Sequence, residues 1–343
     1  MPTSIVRRFA VVAAVALTVV SIAPVAADKP VGGGSSTGVG RVFAPNPVAT
    51  LQDQTLTDQK DADYAALQPA YRLKTLTNLD GSGFLVGDWA VVHSETGKPA
   101  FSADNTFVYD RHDDRFEQVM AYYWVTQAQL HLERLGFGVT RRPVNRVQQK
   151  VRLNQWGVDN SFATDTKDEL RFGKGGVDDA EDAEVILHEY GHAIHFAQSP
   201  TFYASPESGA IGEGFGDYFA MTVSAAVSPT PDLPCIADWD STSYTASTPH
   251  CLRRIDSNKH YPENLRGEVH ADGMIWSRAL WDIRLGLGDP DKADIIIIEA
   301  QFDWTGTTMA DLAQRTVNVA QALYGSADAA IVRAAFQARG ILP

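Results

Sequence analysis

The segment Glu184-Val-Ile-Leu-His188-Glu189-Tyr-Gly-His192-Ala-Ile-His195 constrains this chain more than any other. On an α-helix, residues i and i+4 project from one face, so His188 and His192 can bring both imidazoles to one Zn²⁺. Glu189, at i+1, then leans toward the same point without ligating, where a carboxylate can act on a metal-activated water. Two solvated helix histidines would show the same spacing, so the rest of a site has to be sought elsewhere in the chain.

A third ligand decides the subtype. A His six residues after His192 would complete one known pattern, but that position is Gln198. Glu213, in Gly209-Ala-Ile-Gly-Glu213-Gly-Phe-Gly-Asp217-Tyr, is the better candidate, on a second helix folded back through the loop 199–208. Two His and one carboxylate leave the fourth zinc position open, which is the catalytic rather than the structural arrangement. Asp217 lies one helical turn beyond Glu213, where it can accept the second ring N–H of His188 and fix its tautomer. The apolar neighbours of both acids argue against a solvated acidic face.

Residues 1–27 read as a secretory signal: Arg7 and Arg8, an apolar run from Phe9 to Val20, and Val25-Ala-Ala27 as the cleavage site. Residues 28–41 read as a flexible Gly/Ser-rich segment. Residues 42–178 carry short β-like segments, including 71–76, 84–92, 146–153 and 161–172, around one helix near 116–135 whose apolar face runs through Val119, Tyr123 and Leu130. From 179 to 343 long helices dominate, near 179–198, 209–227, 270–285 and 291–302, with two more after them. Ile295 to Ile298 reads as helix because Asp291, Lys292 and Ala300 flank it.

The expected product is a β-rich N-terminal lobe followed by a helical C-terminal lobe that carries the metal site. Residues 28–100 are read as part of that first lobe rather than as a pro-segment. In an oxidising compartment, Cys235 and Cys251, the only cysteines, are expected to form a disulfide. A formal net charge of −13 argues against nucleic-acid binding, which needs clustered Lys and Arg. No second long apolar stretch follows the signal, so stable membrane insertion is not expected.

The blocks His188-Glu-Tyr-Gly-His192, Gly212-Glu-Gly-Phe-Gly-Asp217 and Gly267-Glu-Val-His270-Ala-Asp-Gly together resemble the gluzincin metallopeptidases, in particular the fungalysin family and its relative thermolysin. Phe43-Ala-Pro-Asn-Pro-Val48 is similar to the entry of a fungalysin-type chain. The resemblance implies an α+β, two-lobed, thermolysin-like fold with zinc in the cleft between the lobes. It also implies His270 as a donor to the oxyanion and Tyr203 facing the same oxygen. Which acid orients His270 is open, because the usual offset holds Leu265, with Glu263 and Glu268 nearby. Asn160 resembles a substrate-binding edge strand residue, and Arg253 with Arg254 resembles an Arg pair near the substrate carbonyl, a surface ion pair being the other reading.

The expected activity is that of a secreted, extracellular and monomeric zinc endopeptidase acting on protein or peptide substrates, with Glu189 as general base. A non-catalytic exported zinc domain that binds surface polymers or protein partners is the alternative, and an exopeptidase on the same scaffold a third reading. Calcium is left open: the acids of thermolysin's double calcium site are not evident after Glu213, where the chain runs Met221-Thr-Val-Ser-Ala-Ala.

Overall fold

The computed structural model describes residues 36–343. The signal expected at 1–27, and residues 28–35, lie outside the described residues. In chain order the elements are β1 (Ser36–Phe43), α1 (Pro47–Leu51), β2 (Tyr71–Leu79), β3 (Ala90–Ser94), β4 (Thr106–Phe107), α2 (Arg115–Arg134), β5 (Gln149–Leu153), β6 (Ser161–Thr164) and β7 (Glu169–Phe172). There follow α3 (Ala183–Gln198), α4 (Pro206–Val227), β8 (Cys235–Ile236), β9 (Arg253–Arg254), α5 (Val269–Leu287), α6 (Pro290–Gln301), α7 (Met309–Tyr324) and α8 (Ser326–Ala338). The architecture is mixed α+β.

Strands β2, β1 and β4 form one sheet, with β1 antiparallel to β2 and parallel to β4. The segment expected to be a flexible linker is therefore a paired strand from Ser36 onward. Its glycines serve close approach: a Cβ on Gly40 would stand 2.6 Å from Val119 of α2, and one on Gly38 would stand 2.4 Å from the Asn105 carbonyl oxygen. A second sheet has the order β3-β5-β7-β6, parallel except for β6 at one edge. The single strand expected over 161–172 is the hairpin β6–β7, turned through Asp168 at φ 51°. The strand expected over 84–92 is broken as well: only bridges at Phe84, Val86 and Gly87 precede β3.

Helix α2 is buried on nearly all sides rather than along one stripe, because sheet and helices enclose it. Tyr122, Trp124 and Phe116 are among its fully buried side chains. Asn46 ties the entry segment to α3: its amide donates to Asp182, the N-cap of that helix, at 3.2 Å.

Two glycines fix how closely α3, α4 and α5 meet. A Cβ on Gly216 of α4 would fall 2.7 Å from His188 Nδ1 on α3. A Cβ on Gly214 would fall 2.4 Å from the Gly273 carbonyl oxygen of α5. Any larger residue would push the helices apart, so the Gly-Glu-Gly-Phe-Gly-Asp block sets the distance of Glu213 from His188 and from His270.

Candidate active site

The side chains of α3 and α4 converge on one point. His188 Nε2 lies 3.2 Å from Glu213 Oε2 and His192 Nε2 lies 3.7 Å from Glu213 Oε1. One donor atom from each of His188, His192 and Glu213 falls within 4.8 Å of the others. Two imidazole nitrogens and a carboxylate oxygen form a donor set suited to zinc, and the three residues present fit that ion.

Both rings are oriented from behind. His188 Nδ1 lies 2.9 Å from Asp217 Oδ1, so its N–H is directed at that carboxylate and Nε2 is left for the metal. Arg253 grips Asp217 in turn, Nε and one terminal nitrogen each donating at 2.7 Å. Burial raises the Asp217 carboxyl, yet Arg253 and His188 outweigh it and hold it at about 2. His192 Nδ1 lies 2.6 Å from the Tyr203 hydroxyl, which also reaches His195 Nδ1 at 3.3 Å. A consistent proton order runs from His192 Nδ1–H to the Tyr203 oxygen and from the Tyr203 O–H to His195. Burial draws His192 down to about 4, the neutral and ligating form.

Glu189 is 6% exposed, and its Oε2 has no hydrogen-bond partner. Burial pushes this carboxyl up to about 7, against the opposing charge of His188. His270, at the start of α5, is exposed and points Nε2 at Glu213 Oε2 over 3.3 Å. Its Nδ1 lies 2.7 Å from Glu268 Oε1. Glu268 is also the N-cap of α5, accepting the backbone N–H of His270 and Ala271 at 3.1 and 2.8 Å. The acid beside His270 is thus Glu268, and Glu263 is exposed elsewhere.

Asn160 precedes β6 and, with Ser161, Phe162 and Ala163, lines the groove that also holds Glu189, His192, Tyr203, Glu213 and His270. Arg253 is half-buried and pairs with Asp217, whereas its neighbour Arg254 pairs with Asp232 and Asp256 in a more exposed network. Cys235 and Cys251 are disulfide-bonded beside the β8–β9 ladder that carries Arg253. His195 was not among the expected site residues. Its signal was present in the spacing, since it lies one turn beyond His192 on the same face, but it acts behind the groove and stacks on Phe202 at 3.7 Å.

The sequence profile of the fungalysin metallopeptidases (M36) matches residues 96–291, more than half of the chain. The chain belongs to the fungalysin family. It is 26% identical over 128 residues to extracellular metalloproteinase 4 of Trichophyton rubrum, a stretch covering 33% of this chain and 19% of that protein. It is 31% identical over 127 residues to extracellular metalloproteinase 1 of Phaeosphaeria nodorum, again 33% of this chain and 19% of the relative. The match thus spans about a fifth of the length of these curated relatives. Among solved structures, the precursor of protealysin, a metalloproteinase from Serratia proteamaculans, superposes with a TM-score of 0.60 at 17% identity, covering 75% of this chain and 88% of that one. That likeness gives the fungalysin chain a thermolysin-like fold.

Proposed function

We propose that this fungalysin-family chain is an exported zinc endopeptidase that hydrolyses peptide bonds in extended protein substrates. The observation that carries the reading is Glu189: a buried carboxylate with an unpartnered oxygen, beside three converging metal donors whose ring tautomers are held from behind. A structural metal site has no use for such a base. His188, His192 and Glu213 would hold the ion, which supplies Lewis acidity for activating water and polarising a carbonyl.

The chain's own residues divide the remaining work. Glu189, tuned by burial toward neutrality, takes the proton of the attacking water and delivers it to the departing amine. His270, aligned by Glu268, donates to the oxygen that gains charge as the carbonyl is attacked. The edge strand β6 offers its outer backbone to an extended peptide, so that main-chain hydrogen bonds dock the substrate largely independently of sequence. Export is supported by Arg7, Arg8 and the apolar run that follows them, by the disulfide, and by relatives that are named extracellular.

The test is hydrolysis of unfolded casein by the purified protein, before and after removal of metal with a chelator and after readdition of zinc. Cleavage that the chelator abolishes and zinc restores is expected. Cleavage that survives complete removal of metal would contradict the reading.

A further inference from the structure

A cavity of about 220 Å³ opens beside the candidate site, with His188, Glu189 and His270 in its wall. The same wall holds three carboxylates from three distant segments: Asp159 before β6, Asp179 before α3 and Asp240 after β8. One oxygen from each falls within 4.8 Å of the others. Asp179 is 2% exposed and Asp240 3% exposed. Ser161 donates to Asp179 and Tyr244 donates to Asp159, yet Asp179 Oδ1 and Asp240 Oδ1 have no partner at all. Two buried, unpartnered carboxylate oxygens lining a cavity are costly unless an occupant supplies donors.

Arg253 is the one Lys or Arg in this wall; its Nε and one terminal nitrogen donate to Asp217, and its charge also acts on Asp240. Glu184 and Glu189 add further acid, so the lining is acidic in balance. Beside the acids and the polar Asn160, Ser161 and Tyr244, the wall has an aliphatic part formed by Val185, Ile236 and Leu252. An aliphatic stem that ends in a cationic donor matches such a lining: the stem packs on the apolar residues and the head meets the acids.

Resting on the peptidase reading, we infer that this pocket selects a lysine or arginine side chain next to the cleaved bond, held through Asp159, Asp179 and Asp240. Glu189 and His270 are part of the same wall, so the occupant belongs to a residue flanking the bond on which those groups act. The aliphatic residues beside the three acids favour a side-chain cation over calcium, which takes oxygen ligands only.

The test uses zinc-loaded full-length protein carrying Glu189→Gln, and peptides identical except for one position that is Lys, Arg, Leu or Phe. Lys and Arg peptides are expected to bind about tenfold or more tightly than the Leu peptide. That ratio should collapse in Asp179→Asn and in Asp240→Asn, each checked for zinc content and melting temperature. Equal or tighter binding of the Leu peptide overturns the inference, as does a ratio that survives both substitutions. Calcium is the competing occupant: millimolar calcium is expected to leave the ratio in place, and one-to-one calcium binding that erases it would overturn the assignment. Wild-type cleavage of the same peptides is scored separately. Selective binding without cleavage of any peptide would sink the peptidase reading and leave the pocket's cation preference standing.

Discussion

Asp217 joins His188 to Arg253: one carboxylate accepts the His188 Nδ1–H at 2.9 Å and two Arg253 nitrogens at 2.7 Å. The arginine keeps Asp217 ionised inside the protein, and ionised Asp217 fixes the imidazole tautomer that leaves Nε2 free. Asp217→Asn should weaken zinc binding by about 10- to 100-fold. Arg253→Met strands a buried charge and should cost about 3 kcal/mol of stability. Competition with a zinc-sensitive dye and denaturant unfolding read the two effects, and unchanged zinc affinity in Asp217→Asn would contradict this assignment.

Tyr203 gives a sharper discrimination. An oxyanion donor lost costs on the order of 10²–10³ in kcat, whereas a hydroxyl that only orients a metal ligand shifts affinity for the metal. Because the hydroxyl sits 2.6 Å from His192 Nδ1, Tyr203→Phe should weaken zinc binding about tenfold and change kcat little at saturating zinc. A kcat loss near 10³ with normal zinc affinity would return Tyr203 to the oxyanion.

Reducing or replacing the disulfide should destabilise the region that supports Arg253. Closure of the 16-residue separation between Cys235 and Cys251 is worth about 3 kcal/mol. Cys235→Ala with Cys251→Ala should lower the melting temperature and also weaken zinc binding, because β9 positions Arg253 behind Asp217. A stability loss without any change in zinc affinity would separate the disulfide from the site.

Glu117 and Asp178 make a buried carboxyl pair away from the metal donors. Burial and their mutual repulsion raise Glu117 well above the ordinary range, and burial pushes Asp178 up to about 7. Both therefore bind protons more tightly folded than unfolded, so their contribution is complete below about pH 4 and is lost as pH rises toward 7. Glu117→Gln, which removes one charge and can donate to Asp178, should stabilise the protein at pH 8 by on the order of 2 kcal/mol and have little effect at pH 4. Urea unfolding at both pH values checks the sign, and an equal effect at both would contradict the raised carboxyls.

The helical spacing made His188, Glu189, His192, Glu213 and Asp217 legible, because each relation is local to α3 or α4 or to the way one folds on the other. Glu268 was harder to single out, since its roles as N-cap of α5 and as partner of His270 depend on where α5 begins. The glycines of residues 36–40 point to flexibility, but their function is steric and set by residues far along the chain, Asn105 for Gly38 and Val119 of α2 for Gly40. The triad of Asp159, Asp179 and Asp240 is invisible in the sequence for the same reason: only the tertiary fold brings those three segments together. Arg253 leaves two readings open in the sequence, and its ion pair with buried Asp217 gives it a positioning task that neither describes.

On the proposed reading, Glu189 performs the proton transfers of a zinc-dependent hydrolysis while taking no part in holding the metal. The most direct measurement is zinc stoichiometry and hydrolysis of unfolded casein for the wild-type protein and for Glu189→Gln, side by side. One zinc in both proteins, with cleavage reduced at least about 10²-fold in the variant, is the predicted result. Equal cleavage by the two proteins at equal zinc content would contradict it.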